Sequence, residues 1–479
     1  MAVFLNMLIR SVRDLSKKRT IKGRKRRKSR EKQIYYGMAL LAALFVVIGL
    51  TSAIRGGTDD VREAGKVIQD ASEGNLKKEE EKEEEEKEEE EKAKSREKAA
   101  KNPDIRVLVM TNRFKGTVHP EVKLFSETGM TVTYDGGEKQ YKKGKTLKLK
   151  PDHKWLKKGT VRVKAADGKV AIKSLNRGDG TPSYDGVIEL RSTAEGIVII
   201  NELPVEDYLC GVVPSEMPSS YELEALKAQA VCARSYAYRQ MEEYGYPEYE
   251  AHVNDSTDYQ VYNNSGQAES SSRAVAETAG QTVMYKGKIA TTYYYSTSSG
   301  KTTTMEAWGT KPSETNGYLH AAEVKGEDGD YEKELPWYRW KVSVTVDVLS
   351  DLIGLNTGKD VGKLESIEIT KRGPGDVALE MKAVGDQGSV TVKTENKIRK
   401  ALGGSEYKIK RQDGSETEGR DLLPSAFFTI EKKGGKFVIK GGGFGHGIGM
   451  SQTGANEMAK QGKDYKEILT LFYKDISVE

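Results

Sequence analysis

Apolar residues fall into distinct rhythms along this chain. Ile34–Ile54, IYYGMALLAALFVVIGLTSAI, runs 21 residues without a charge. A helix needs about 20 apolar residues to cross a bilayer, so the run predicts one transmembrane span. It exceeds the apolar core of about 7–15 residues typical of a cleaved signal peptide. Cleavage after Ser52-Ala53 is compatible with the sequence, but the length favours the span. Thr58–Asn102 has no apolar face, and its middle reads KKEEEKEEEEKEEEEKAKSREK. Glutamates stand four residues before lysines, as at Glu83–Lys87 and Glu88–Lys92, which supports a solvated helix by roughly 0.2–0.5 kcal/mol per pair. Without an apolar stripe it is neither core nor coiled coil, and a semi-rigid or disordered spacer is predicted.

From Ile105 the rhythm becomes two. Ile105–Met110, Glu121–Phe125, Thr131–Tyr134, Thr146–Leu149, Thr160–Lys164 and Lys169–Ile172 read as strands, punctuated by turn pairs such as Asp135-Gly136 and Asp167-Gly168. Val187–Leu190 and Gly196–Ile200 add a hairpin. His119 and His153 are isolated here, and loop or surface positions are expected for both.

Beyond this unit the rhythm turns helical. Leu203–Val212 predicts a short helix, followed by the turn Pro214-Ser215-Glu216-Met217-Pro218. Ser219 and Glu222 then form an S-x-x-E capping signal, and a helix is predicted to Tyr244. Leu223, Leu226, Ala230, Ala233 and Ala237 share one face, while Ala225, Ala228 and Cys232 share another. Small residues on two faces mark a central, closely packed helix. Glu250–Tyr262 reads as a polar loop anchored by Tyr262. Ala268–Thr278 reads as a helix, and Gln281–Tyr285 with Ile289–Tyr295 as a hairpin. Ser296–Thr304, STSSGKTTT, is a hydroxyl-rich loop. Residues 336–435 hold a mixed segment, with helices near Val348–Ile353 and Thr394–Leu402 and strands near Leu364–Thr370 and Val377–Lys382. Lys440–Met450, KGGGFGHGIGM, is glycine-dense and leads into Ser451–Gln461.

The expected fold class is therefore α+β: a mixed, β-rich extracellular domain with a central catalytic helix, preceded by a transmembrane helix and a charged spacer. The divisions fall at 1–33, 34–54, 55–103, 104–200 and 201–479.

Charge adds topology. Lys17–Lys32 holds eleven Lys or Arg in sixteen residues, which places the N-terminus in the cytoplasm and everything after Arg55 outside. The net charge of +5 thus comes from segregated tails and implies no nucleic-acid partner. The two cysteines, Cys210 and Cys232, lie in predicted helix, and two buried thiols are expected rather than a disulfide. Their spacing matches no zinc motif.

Candidate chemistry centres on Glu216, a single acid between two prolines with apolar neighbours. Ser296–Thr304 lacks the G-x-x-x-x-G-K-[ST] pattern of a phosphate cradle, and the glycines of 441–449 lack a βαβ setting for a dinucleotide. Hydroxyl-rich and glycine-rich loops suit many weak polar contacts to sugar.

Three blocks, VEDYLCGVVPSEMP…EALKAQAVCARSYA, YYYSTSSGKTT…AW and GGGFGHGIGMSQTGANEMAKQGKDYKEILTLFY, together resemble the stage II sporulation protein D family, also called the LytB amidase-enhancer family. The resemblance spans about 186–473 and implies a membrane-anchored protein acting on peptidoglycan glycan strands. It implies lytic transglycosylase activity, with Glu216 as the catalytic acid. It also implies work with a cell-wall amidase and membrane partner proteins, in sporulation and engulfment. The alternative role in the family is a non-catalytic activator of an amidase. Ser298, Ser299, Gly300, Lys301 and His446 are the candidate glycan contacts. Lys227 and Arg234, two turns apart on the central helix, are weaker candidates with salt-bridged structural roles as the alternative. Some members hold a metal in the loop that corresponds to His252–Asn264. Here His252 has no cysteine partner, with Tyr259 and Gln260 where one is expected. Neither zinc nor another cofactor is expected.

Overall fold

Alternation between buried and exposed positions organises the first half of the fold. The computed structural model describes residues 102–479, apart from 179 and 265. The basic arm, the span at 34–54 and the glutamate-rich spacer lie outside the described residues. Among the described residues no helix is long and apolar enough to cross a membrane.

Seven strands form one sheet in the order Val253–Asn254, Asp104–Val109, Ile197–Pro204, Val187–Ser192, Val161–Ala165, Met130–Tyr134 and Gly137–Tyr141. Neighbours are antiparallel except the first two, which run parallel. The strand at 104–109 buries Ile105, Val107, Leu108 and Val109, so it is covered on both faces. A second sheet orders Thr146–Leu149, Val122–Phe125, Val170–Ile172 and Ser183–Tyr184. Its Leu124, Leu149 and Ile172 join the same buried cluster as Val132, Val163 and Ile188 of the first. The strands therefore sit where the alternation predicts. One position departs from expectation: His119 is 3% exposed, with Nε2 hydrogen-bonded to the Val109 carbonyl at 2.9 Å.

After the Ile197–Pro204 strand of the first sheet the chain turns to helices: α1 (Val205–Glu216), α2 (Leu223–Gln240) and α3 (Glu269–Glu277). The inserted region adds α4 (Val346–Thr357) and α5 (Glu395–Ala401), and the chain finishes with α6 (Gln452–Lys460) and α7 (Tyr465–Phe472). α2 packs against α1, α3, α6 and α7. Ala225, Ala228, Ala230, Ala233 and Ala237 are all fully buried, which lets four helices approach one axis closely. The expected capping box at Ser219 does not form. α2 starts later, at Leu223, because Glu222 is its N-cap and its amide is held by Asn456 Oδ1 of α6 at 2.9 Å. Both cysteines are free thiols, Cys232 buried and Cys210 partly so.

The insert carries its own sheets. Five antiparallel strands run in the order Glu416–Glu418, Lys408–Arg411, Trp340–Thr345, Lys436–Gly441 and Phe428–Lys433. Three more, Leu364–Arg372, Ala378–Gly385 and Gly388–Lys393, form a meander. After the insert the chain returns as Met450–Ser451, which pairs in parallel with Tyr294–Tyr295. All described residues fall in one compact unit.

Candidate active site around Glu216

Glu216 is the last residue of α1, not part of a turn ahead of α2. The helix continues through Pro214, and Met217 ends it in extended backbone. Proline removes one donor from the ladder; the hydroxyl of Ser215 meanwhile turns back to the Gly211 carbonyl at 2.7 Å. The carboxyl thus sits at a helix C-terminus, where the helix dipole disfavours negative charge. Its Oε1 accepts the amide N–H of Val261 at 2.6 Å. The Tyr294 hydroxyl is a second partner. Burial pushes the Glu216 carboxyl up to about 7, against the opposing pull of those two hydrogen bonds. Among the described residues no other carboxylate contributes to that shift.

A layer of amides holds these partners. Gln260 Nε2 donates to the Tyr294 hydroxyl at 3.1 Å and to the Ala233 carbonyl of α2 at 3.3 Å. The Tyr208 hydroxyl donates to Gln260 Oε1 at 3.4 Å. On the other side, Gln452 Nε2 donates to the Glu216 carbonyl at 3.0 Å and to Gln229 Oε1 at 3.2 Å. The polar loop 250–262 ends here because Tyr262 is buried, its hydroxyl donating to Asn201 Oδ1 at 2.9 Å.

The glycine–histidine block packs directly behind Tyr294. Ile448 N–H donates to His446 Nδ1 at 3.1 Å, so the neutral ring carries its proton on Nε2 and donates it to the Tyr294 carbonyl at 2.9 Å. Burial lowers the ring to about 3, with the Arg399 charge acting in the same direction. Tyr295 and Trp308 contact the imidazole, with ring centroids 5.4 and 5.0 Å away. Both nitrogens are therefore committed, and His446 positions the Tyr294 strand. Gly449, at φ +75°, permits this approach: a Cβ there would lie 2.1 Å from the Tyr293 carbonyl oxygen.

The hydroxyl-rich loop divides in two. Ser298 is 1% exposed and turned inward. Its hydroxyl bonds the fully buried Glu332, whose Oε1 also accepts from the Ser298 amide at 2.9 Å and the Ser451 hydroxyl at 2.7 Å. The Thr453 hydroxyl is a further donor. Glu332 thus ties this loop to the N-cap of α6, next to Gln452. Burial raises its pKa while these donors lower it, and burial prevails. Ser299, Gly300 and Lys301 instead line a neighbouring cleft of about 770 Å³ at the edge of the insert, and Glu216 is not among its walls.

Arg234 and Lys227 lie away from the acid. Arg234 is fully buried: Nε and Nη2 each donate to the Glu206 carboxylate at 2.7 Å, Nη2 also donates to the Val275 carbonyl, and Nη1 donates to the Gln281 carbonyl. Nothing of it faces a polymer, so the alternative, a structural ion pair, describes it. Lys227 bridges Glu224 and Glu277 at 2.8 and 2.7 Å. In the loop after α2, His252 Nδ1 accepts the Arg106 amide at 3.0 Å. One remaining imidazole nitrogen without a thiol does not fit a zinc site.

The sequence alone does not mark Tyr294, Gln260, Gln452 or Glu332 for these roles. Tyr294 and Gln452 do lie inside the second and third sequence blocks, whose convergence was the available signal. The Val261 contact is made by the backbone and carries no side-chain signature.

Comparison with known proteins follows the same map. Residues 193–285, which contain α1, α2 and the Val261 loop, match the model of the stage II sporulation protein family. Residues 310–449 match a domain of unknown function. Stage II sporulation protein D of Bacillus amyloliquefaciens is 31% identical over 300 residues, covering 58% of this chain and 75% of that protein. Its namesake in Bacillus subtilis is 29% identical over 344 residues, covering 67% and 88%. The amidase enhancer of Bacillus subtilis is 27% identical over 292 residues, covering 55% of this chain and 39% of the relative. With the helix that presents Glu216 inside the family match, and three quarters of a 31% identical relative covered, this chain belongs to the stage II sporulation protein D family.

Proposed function

We propose that the protein is a lytic transglycosylase that cleaves peptidoglycan glycan strands between N-acetylmuramic acid and N-acetylglucosamine. The observation that carries this reading is a single carboxyl at the end of α1, its Oε1 accepting the Val261 amide at 2.6 Å, with burial pushing its pKa up to about 7. Ordinary glycoside hydrolysis uses two carboxylates, one for each proton transfer. An intramolecular attack needs one group that gives a proton and takes one back.

With Oε1 tied to the Val261 amide, the exchangeable proton rides on Oε2. Glu216 donates it to the glycosidic oxygen as the bond from the muramyl anomeric carbon breaks, and the sugar ring develops oxocarbenium character. The muramyl C6 hydroxyl then attacks that carbon and returns its proton to Glu216. The products are a 1,6-anhydromuramyl end and a free N-acetylglucosamine 4-hydroxyl, and water is not consumed. A pKa near the working pH suits a group that serves as acid and then base.

In this reading the chain works outside the membrane, anchored by residues 34–54, on strands stripped of peptides by an amidase during sporulation and engulfment. A second reading is favoured by the relative named an amidase enhancer: the site grips glycan without cutting it and activates an amidase. Mass spectrometry of peptide-free strands incubated with wild type and with Glu216→Gln separates the two. Anhydro ends that vanish in the variant support the enzyme. Their absence from wild type at saturated binding supports the activator.

A further inference from the structure

A tryptophan near the acid is held by the insert while its ring stays partly exposed. Trp308 ends the short helix Met305–Trp308, just ahead of the segment 310–449 that matches a domain of unknown function. Its indole N–H donates to Glu395 Oε1 at 2.9 Å. Glu395 is fully buried at the start of α5, and its other oxygen accepts Arg399 Nη1 at 3.3 Å. Arg399 Nε donates in turn to the Leu423 carbonyl at 2.8 Å. Thr394, the residue before Glu395, holds φ at +75°, strain that a non-glycine residue bears only where its surroundings fix it. A buried ion pair adds little net stability, so one spent on a single indole N–H points to orientation of that ring.

The indole ends a row of aromatic rings that leads to Glu216. Tyr293 meets Trp308 with centroids 4.9 Å apart at 88°, and Tyr236 of α2 meets Tyr293 at 6.1 Å and 69°. Burial raises the Tyr236 phenol, and Tyr293, Tyr259 and Glu216 each add to the rise, so all three lie within electrostatic reach of it. Tyr293 is also the chain neighbour of Tyr294, whose hydroxyl partners the Glu216 carboxyl. Trp308, Tyr293, Tyr236 and Glu216 are all partly exposed. His446 meets the indole at 57°, so among the described residues no ring stacks flat on it. The C–H face of a pyranose is apolar, and its hydrogens complement the negative face of a π-system. A partly exposed aromatic row with a few polar groups beside it is the ordinary lining of a site for such a ligand.

We infer that Trp308, Tyr293 and Tyr236 form a stacking platform for the sugar rings of a strand whose scissile bond lies at Glu216, and that Glu395 sets the angle of the indole. The inference rests on the proposed substrate. It gives the inserted segment a part in the reaction, with Glu395 acting through Trp308 as a positioning residue. The platform reads ring faces and not charge, so its contribution does not depend on salt.

The test is tryptophan emission and affinity, measured on the full chain carrying Glu216→Gln so that turnover does not intervene. The probes are peptide-free glycan strands and neutral oligomers of N-acetylglucosamine. Both are expected to change the emission, at low and at high salt. Trp308→Phe should abolish the change, because Trp155, Trp337 and Trp340 lie outside the row. Trp308→Ala should weaken binding of both probes about tenfold, and Trp308→Phe less, because a ring remains. Glu395→Ala should weaken binding and blunt the emission change, and Glu395→Gln, which keeps a carbonyl acceptor for the indole, should restore both. Both Glu395 variants leave Arg399 without its carboxylate, so the difference between them isolates the bond to Trp308. Unchanged affinity in Trp308→Ala, or an emission change that survives Trp308→Phe, overturns the platform. Equal binding by the two Glu395 variants overturns the positioning role. Trp308-dependent binding by a wild type that yields no anhydro ends would leave the platform standing and remove only the transglycosylase reading.

Discussion

The side-chain amide of Gln452 donates to the main-chain carbonyl of Glu216 at 3.0 Å, joining residues 236 positions apart. The bond caps a carbonyl at the open end of α1 and fixes the last turn from which the acid projects. Gln452→Ala should cost about 1 kcal/mol of stability by denaturant unfolding, the usual net worth of such a bond. It should lower kcat about tenfold while leaving the pH midpoint in place, because a loosened acid is misplaced rather than re-tuned.

The pH profile tests the electrostatics. Glu216 must be protonated to act first as acid, so the rate should fall as pH rises through about 7. Tyr294→Phe removes a hydrogen bond that lowers this pKa and should move the limb to higher pH. An unchanged midpoint in that variant would separate Tyr294 from the tuning of the acid.

Stability should show the same group from the other side. The folded-state pKa lies above the ordinary carboxyl value of 4.5, so the folded protein holds this proton more tightly than the unfolded chain does. The favourable contribution is complete below about 4.5 and is lost as pH rises to about 7. The upper bound on the change is about 3 kcal/mol. Glu216→Gln, which keeps the shape without the charge, should therefore be more stable than wild type at pH 8 and match it near pH 4, as read by paired urea titrations.

Arg234→Met should destabilise by about 3–5 kcal/mol, because it leaves Glu206 charged beside a buried gap. Glycan affinity of the fraction that remains folded should not change. Lys227→Ala, on a pair of partly exposed glutamates, should cost under about 1 kcal/mol. A selective loss of glycan affinity in either variant would restore that residue to the binding surface.

Glu332→Gln should cost about 1–3 kcal/mol by unfolding, since an amide turns its own donors toward the Ser298, Ser451 and Thr453 donors. Activity should fall too, because the same carboxylate joins the Ser298 loop to the α6 N-cap beside Gln452.

Much of the fold can be read directly from the chain. Strands from Asp104 to Pro204 follow period-two alternation because one face or both faces of each is buried. Gly137–Tyr141 escapes that reading because GEKQY is an edge strand with no buried residue. Glu216 stands out through its flanking prolines, yet Pro214 reads as a helix breaker when in fact the helix continues through it. Packing against α2 outweighs that local preference. Ser298 reads as a glycan contact because hydroxyl-rich loops are usually exposed, and only its distant partner Glu332 turns it inward. Glu332 itself sits unremarked in DGDYEKEL, since burial of a lone acid depends on donors 34 to 121 positions away.

The most direct test of the central claim is the fate of solvent oxygen. Peptide-free glycan strands are cut by wild type in water enriched with heavy oxygen, and the new ends are weighed. The single-carboxyl mechanism predicts 1,6-anhydromuramyl ends free of the heavy isotope, with no product from Glu216→Gln. Reducing muramyl ends that carry the label, or anhydro ends made equally by Glu216→Gln, would contradict it.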